Sequence, residues 1–335
     1  MQLTEEQEQI RDMAREFAQN VLLPGAAARD RAHAFPREEL TQMGELGFLG
    51  MLVPEAHGGS ETGVVAYALA LEEIAAADGA CSTIMSVHSS VGCVPILKYG
   101  TDEQKSTWLE RIASGDVVAS FALTEPGAGS NPSGLRTKAT LDGSDWIING
   151  QKQYITNAPT ADLFVTFARS RPADDNGAGI AVFLVPADTP GVQVGTKDKK
   201  MGQEGAWTAD VNFTDVRVPA AALVGGSEDI GYRAAMTSLA RGRVHIAALA
   251  VGTAQRALDE SVAHAATATQ GGTPIGEFQL VQAMLAEQQT GGLLAADGLD
   301  ERVGAVDTDE HHHEQEQHHD RAGVDEDLDD VQELR

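Results

Sequence analysis

The chain has 335 residues, 42% of them hydrophobic, with 24 Lys and Arg against 50 Asp and Glu and a formal net charge of −26. That length supports two or three domains and a sizeable core. The charge excludes a nucleic-acid partner, whose phosphates need a basic surface, and it means that an anionic ligand must be held by local donors rather than by the overall field.

The acidic start, Met1 to Glu6, lacks the basic and apolar stretches of a signal peptide. Thr4 with Gln7 three residues on forms a capping-box pattern, followed by Ile10, Met13, Ala14 and Phe17 at helical spacing. Pro24 is expected to interrupt this helix, and Pro36 to open another that stops near Gly47 and Gly50. Pro54 to Gly59 reads as a loop, and Val64 to Ala77 as a buried helix. No run of about 18 apolar residues is present, so no membrane span is expected. Cys81 and Cys93 are too few for a disulfide framework and read as buried thiols of a cytoplasmic protein. Thr101 to Lys105 opens a last helix of this block, which ends at Gly115.

After Asp116 the period changes to two. Strands are expected at Val117–Leu123, Trp146–Asn149, Leu163–Ala168, Ile180–Val185 and Asp210–Val218. Turns are expected at Asp142-Gly143, Asn149-Gly150, Asn176-Gly177 and Pro190-Gly191. Together these read as a small antiparallel barrel or sandwich. Helix returns after Gly231, with a long Ala-rich run from Ala234 to about Ala268 and a second helix from Phe278 to Gln289. Helices of this length need partners for their apolar faces, so the bundle reads as incomplete. From Gly292 onward 15 acidic residues stand against 3 arginines, with few apolar residues, and the segment reads as a disordered acidic tail. A changed reading frame near Gly291, another exon or a truncated product would each produce such a break. The fold class is therefore α+β: an all-α N-terminal domain (1–117), a β-domain (118–226), a truncated helical domain (227–291) and the tail (292–335).

Two strings carry the chemistry. Phe121-Ala122-Leu123-Thr124-Glu125-Pro126-Gly127-Ala128-Gly129-Ser130 is a strand that runs into a glycine-rich turn and ends in a hydroxyl. Phe121 and Leu123 share a strand face, and the glycines let a ligand approach the backbone. Asn149 to Asn157 contains Tyr154-Ile155-Thr156, an aromatic and a hydroxyl on one strand. Together they resemble the two flavin-binding signatures of the acyl-CoA dehydrogenase family. Further segments agree: Lys199-Lys200-Met201-Gly202, Asp215 to Pro219, Leu239-Ala240-Arg241-Gly242-Arg243, and Gln270-Gly271-Gly272 followed by Glu277-Phe278-Gln279. The resemblance covers residues 3 to 290.

The resemblance implies FAD held by Phe121, Leu123, Thr124, Gly129, Ser130, Tyr154, Ile155 and Thr156, with Gln270 and Gln279 reaching the flavin of a partner subunit. It implies acyl-CoA substrate contacts from Ser130 and Arg243. The implied reaction is α,β-dehydrogenation of a short, medium or branched acyl-CoA to the trans-2-enoyl-CoA. A carboxylate takes the α-proton while the β-hydrogen leaves as hydride to the flavin, and the electrons pass to an electron-transferring flavoprotein. A homotetramer built as a dimer of dimers is also implied.

The sequence departs from that pattern at the base. The usual glutamate of a late loop has no counterpart, and Gly242 occupies the position that a minority of members use instead. Glu125 reads as a turn residue, Glu260 as a helix-surface residue, and Glu310, Glu314, Glu316, Glu326 and Glu333 have no matching context. Ala268 stands where an arginine on the pyrophosphate is usual, Asn131 where Asp is usual, and Glu204 and Trp207 where smaller or basic residues are common. The alternative reading is thus a catalytically dead product with weak flavin or acyl-CoA binding. The His311–His319 run lacks the fixed spacing of a metal site, and none is expected.

Overall fold

The computed structural model describes residues 2–172, 179–299 and 303. The first helix, α1 (Glu5–Phe17), begins with the expected box: the Thr4 hydroxyl accepts from the Gln7 amide at 3.2 Å, and the Gln7 side chain accepts from the Thr4 amide at 3.0 Å. Pro24 does not interrupt the chain of turns. A π-helical turn at Ala18–Leu22 leads into α2 (Leu23–Ala32), where Pro24 takes a first-turn position just after the wider turn. Next come α3 (Arg37–Glu45), α4 (Gly63–Ala77), α5 (Gly79–Val87), a second π-turn (His88–Gly92), α6 (Val94–Tyr99) and α7 (Asp102–Ala113). Thr101 and Gln104 repeat the capping box at α7. Segment Gly79–Tyr99 is long and apolar enough to cross a membrane, but 83% of it is buried inside the protein, as expected of a core helix.

A seven-stranded sheet follows: β1 (Ala119–Ala122), β2 (Lys138–Asp142), β3 (Asp145–Thr156), β4 (Leu163–Arg169), β5 (Ile180–Pro186), β6 (Val192–Val194) and β7 (Thr208–Pro219). Its order is β1-β4-β2-β3-β7-β6, with β5 on β4. Two pairings differ from the all-antiparallel expectation: β4 runs parallel to β1 over four residues and meets β2 in parallel at Lys138–Arg169. The β2–β3 hairpin lies between β1 and β4 in sequence, and such a long crossover permits the parallel pairing. Asp142-Gly143 makes the expected hairpin turn, with Gly143 at φ 66°. Asn149-Gly150 does not turn. Gly150 lies within β3 at a register shift against β7, where a Cβ would overlap Thr137. Asn176-Gly177 lies outside the described residues.

Helix α8 (Gly231–Thr267) runs 37 residues. It crosses α4 closely enough that a Cβ on Gly252 would overlap the Glu72 carbonyl, so glycine is required at the crossing. Beyond a short hairpin, β8 (Thr269–Gln270) and β9 (Thr273–Pro274), a helix covers 279–299. The compositional break at Gly291-Gly292 falls inside this helix. Residues 292–299 are helical, and Leu299 and Val303 are buried in the cluster built on α1, α4 and α5. The expectation of disorder beginning at 292 is corrected over that stretch: two well-placed apolar side chains anchor a segment whose average composition is polar. The rest of the expected tail, including its glutamates and the His311–His319 run, lies outside the described residues.

Candidate active site

The two strings meet. The Gln153 amide donates to the Thr124 carbonyl at 2.8 Å, and the Ser120 hydroxyl donates to the Thr156 carbonyl at 2.5 Å. These cross-links join the turn after β1 to the end of β3, although the two strands are not neighbours in the ladder order. The β3–β7 register shifts between Lys152 and Ile155, and Tyr154, inside that bulge, has φ 58°. A bulky residue with positive φ costs about 1–3 kcal/mol, which the surrounding bonds must overcome. The bulge turns the Tyr154 ring outward, where it is 65% exposed, while Ile155 beside it is buried. Phe121 and Thr156 are half-buried. Phe121 sits edge-on to Phe167 with ring centroids 4.7 Å apart.

Beneath this ledge lies a buried ion pair. Lys152 Nζ donates to Glu125 Oε1 at 2.8 Å and to the Leu123 carbonyl at 3.1 Å. The Arg136 and Thr137 amides donate to the two Glu125 oxygens at 2.6 and 2.9 Å. The Lys152 side chain is 0% exposed and that of Glu125 6%. Burial pulls the ammonium down to about 8 against the attraction of Glu125. For Glu125, burial alone would raise the carboxyl, but Lys152 and the hydrogen bonds from Arg136 and Thr137 outweigh it and hold the group below its usual range. Glu125 is therefore a structural anion as well as part of the turn. Through it the turn after β1, the backbone at Arg136 and Thr137, and β3 are tied together. The period-two pattern of β3 carried the signal for Lys152, which shares the inward parity of Trp146 and Ile148.

The space above the turn is open: a Cβ added to Gly127 or Gly129 would meet nothing within 4 Å. Ser130 is exposed and Leu123 is buried, leaving its carbonyl to hold Lys152. An exposed aromatic, a hydroxyl-bearing strand end and a bare glycine turn at one edge fit a planar ring with a polar rim and an anionic arm. Asn157, at φ 67°, ends the ledge. Its amide donates to the Trp207 carbonyl at 2.8 Å, and its buried Oδ1 has no partner. Trp207 packs at a tilt against Phe35 and donates to the His33 carbonyl at 3.0 Å, so the helical domain braces this end. Glu204 serves the same brace through His33 at 2.9 Å.

Other expected site residues lie elsewhere. Arg243 and Gln279 are exposed on helices, and Gln270 is exposed on the β8–β9 hairpin. Within this chain no described bond joins them to the ledge. Gly242 faces the second π-turn: a Cβ there would lie 3.6 Å from Ser90 Oγ and 3.8 Å from Val91 Cγ1, which is ordinary contact. Glu260 pairs with Arg256 one turn earlier on the α8 surface. No group of three potential metal ligands occurs among the described residues.

One buried group escaped the sequence reading. His245 on α8 is 1% exposed, its ring lies 4.3 Å from that of Tyr67, and neither nitrogen has a partner meeting hydrogen-bond geometry. Burial, reinforced by Arg241, lowers it to about 3. Its neighbours come from α4 and α5, far away in sequence, so nothing local marked it.

Comparison with known proteins matches the chain domain by domain. The N-terminal domain of acyl-CoA dehydrogenase matches residues 4–116, the middle domain 120–216 and the C-terminal domain 229–316. The human mitochondrial short-chain specific acyl-CoA dehydrogenase is 41% identical over 287 residues, 86% of this chain and 69% of that protein. The structure of butyryl-CoA dehydrogenase from Megasphaera elsdenii superposes with a TM-score of 0.88 at 32% identity, covering 92% of this chain and 81% of that one. An acyl-CoA dehydrogenase from Bacillus anthracis, solved in complex with FAD, gives 0.85 at 32% identity, covering 91% and 52%. The chain belongs to the acyl-CoA dehydrogenase family.

Proposed function

We propose that this chain binds FAD on the ledge and acts on a short, medium or branched acyl-CoA, forming the trans-2-enoyl-CoA. The observation that carries this reading is the 2.8 Å bond from Gln153 to Thr124, which makes one continuous edge of the two strings. Tyr154 would lie against the ring, while the Thr124 and Thr156 hydroxyls and the backbone of Leu123, Gly129 and Ser130 would hold its polar rim and arm. When bound, FAD would accept the β-hydrogen with the two electrons of its Cβ–H bond, while the α-proton would go to a base and its bonding pair would become the new Cα–Cβ π bond. Ser130 and Arg243 would meet the CoA arm, and Gln270 and Gln279 would serve the partner subunit's flavin in a homo-oligomer. The electrons would go on to an electron-transferring flavoprotein in the cytoplasm. Anaerobic addition of butyryl-CoA to the FAD-loaded protein tests the reading. Bleaching of the visible flavin band supports a dehydrogenase, and an unchanged spectrum opposes it.

Gly242 favours the second reading, a flavin-binding protein without turnover. It stands at the alternative base position and carries no proton acceptor. A Cβ there would make only ordinary contacts. Under this reading Gly242→Glu raises the bleaching rate by about 100-fold, the range of a positioned general base. An unchanged rate would count against a base at this site.

A further inference from the structure

We propose that His88 is a positioning residue for the ledge: as the Nε2–H tautomer it fixes the start of β1, and with it the turn that meets the flavin. The proposal rests on the reading that FAD occupies the ledge. His88 is 2% exposed and opens the second π-turn. Its Nε2 lies 2.8 Å from the Ile112 carbonyl, which can only accept, so Nε2 carries the hydrogen. Its Nδ1 lies 3.3 Å from the Ala119 amide, which can only donate, so Nδ1 presents a lone pair. One ring thus ties the C-terminal turn of α7 to the first residue of β1.

The need for such a tie follows from the topology. β1 has four residues and lies at the end of the sheet order, with β4 as its only ladder neighbour among the described residues. An edge strand this short has backbone donors that no strand satisfies. Side chains supply the acceptors in succession: Asp162 Oδ2 accepts from the Val118 amide at 2.8 Å, and His88 accepts from Ala119. Phe121 and Thr124 follow within five residues. The π-turn also sits directly on β1, since a Cβ on Gly92 would come 2.8 Å from the Ala119 Cβ. Its other side faces Gly242 of α8 through Ser90 and Val91. His88 therefore stands where the helical domain, the ledge and α8 converge, and π-turns of this kind are frequent at functional sites. Burial lowers its basicity, opposed by the Ile112 bond and by Asp162, the charged group that acts on it. A protonated ring would set N–H against N–H at Ala119.

Two substitutions separate positioning from packing. In His88→Asn, Oδ1 takes the place of Nδ1 and can accept from Ala119 while the Ile112 bond is lost. In His88→Gln, the side-chain amide can donate to Ile112 while the Ala119 amide is left unpaired. The measurements are FAD affinity by fluorescence quenching, hydrogen exchange of the Ala119–Leu123 amides in the apoprotein, and melting temperature. H88N is expected to keep wild-type exchange and bind FAD within about twofold, whereas H88Q exchanges faster and binds about tenfold more weakly at a similar melting temperature. Equal behaviour of the two variants would overturn the proposal. Failure of the wild type to bind FAD would overturn the ledge reading instead, and the apoprotein exchange would still judge His88.

Discussion

The ledge and the C-terminal arm are opposite solutions to exposure. At the ledge, backbone and charge are buried and tied: Lys152 and Glu125 satisfy each other and three backbone groups, while the Tyr154 ring is left in water. Along the arm, from the far half of α8 through helix 279–299, apolar side chains stand exposed: Val262 at 48%, Leu280 at 77%, Met284 at 61%, Leu293 at 58% and Leu294 at 68%. One region is over-determined by polar bonds. The other presents apolar side chains that the described residues leave exposed. The ledge is thus held by internally satisfied polar groups, while the arm is held at Leu299 and Val303 and leaves an apolar face in water.

The sharpest way to test that contrast is to cut the buried pair. Lys152→Met leaves Glu125 buried without its cation and is expected to cost about 3–5 kcal/mol in urea unfolding. A loss under about 1 kcal/mol would mean that the pair contributes little.

Acid probes the helical core beneath α8. The folded His245 titrates at about 3, below its usual value of 6.5. Above 6.5 the ring is neutral in both states and stability is full. As pH falls below 6.5 the unfolded chain takes up a proton that the folded one refuses, so stability falls by about 1.4 kcal/mol per unit down to 3. His88, lowered in the same direction, adds to the loss. In His245→Leu the slope between pH 6 and 4 should become shallower by about one proton. An unchanged slope would place the titration elsewhere.

The smallest effect belongs to the arm. Leu280→Ser and Met284→Ser should each change the stability of the isolated monomer by no more than about 0.5 kcal/mol. A larger loss would show that the arm's apolar face is already covered.

Much of the fold was legible because its signals are local. Thr4–Gln7 marks a helix start by its own chemistry, and Asp142-Gly143 marks a hairpin. Asn149-Gly150 carries an equally good turn signal and is not a turn, because pairing of β3 along β7 overrides local preference. The Pro24 reading failed for a related reason: the π-turn before it places the ring in a first-turn position. At the site, the two strings were visible as strings. Their junction depends on Lys152 meeting Glu125, a pair 27 residues apart whose partnership no spacing rule announces. His245 was illegible because Tyr67 reaches it from α4. The break at 291 was visible in composition, but composition averages over Leu299 and Val303, which find the core.

The most direct test of the ledge is titration of the apoprotein with FAD, followed by quenching of flavin fluorescence, in wild type and Tyr154→Ala. Saturable one-to-one binding, weakened about tenfold or more by loss of the ring, is the predicted result. Absence of saturable quenching in the wild type, or equal affinity in the two proteins, would contradict a flavin lying against Tyr154.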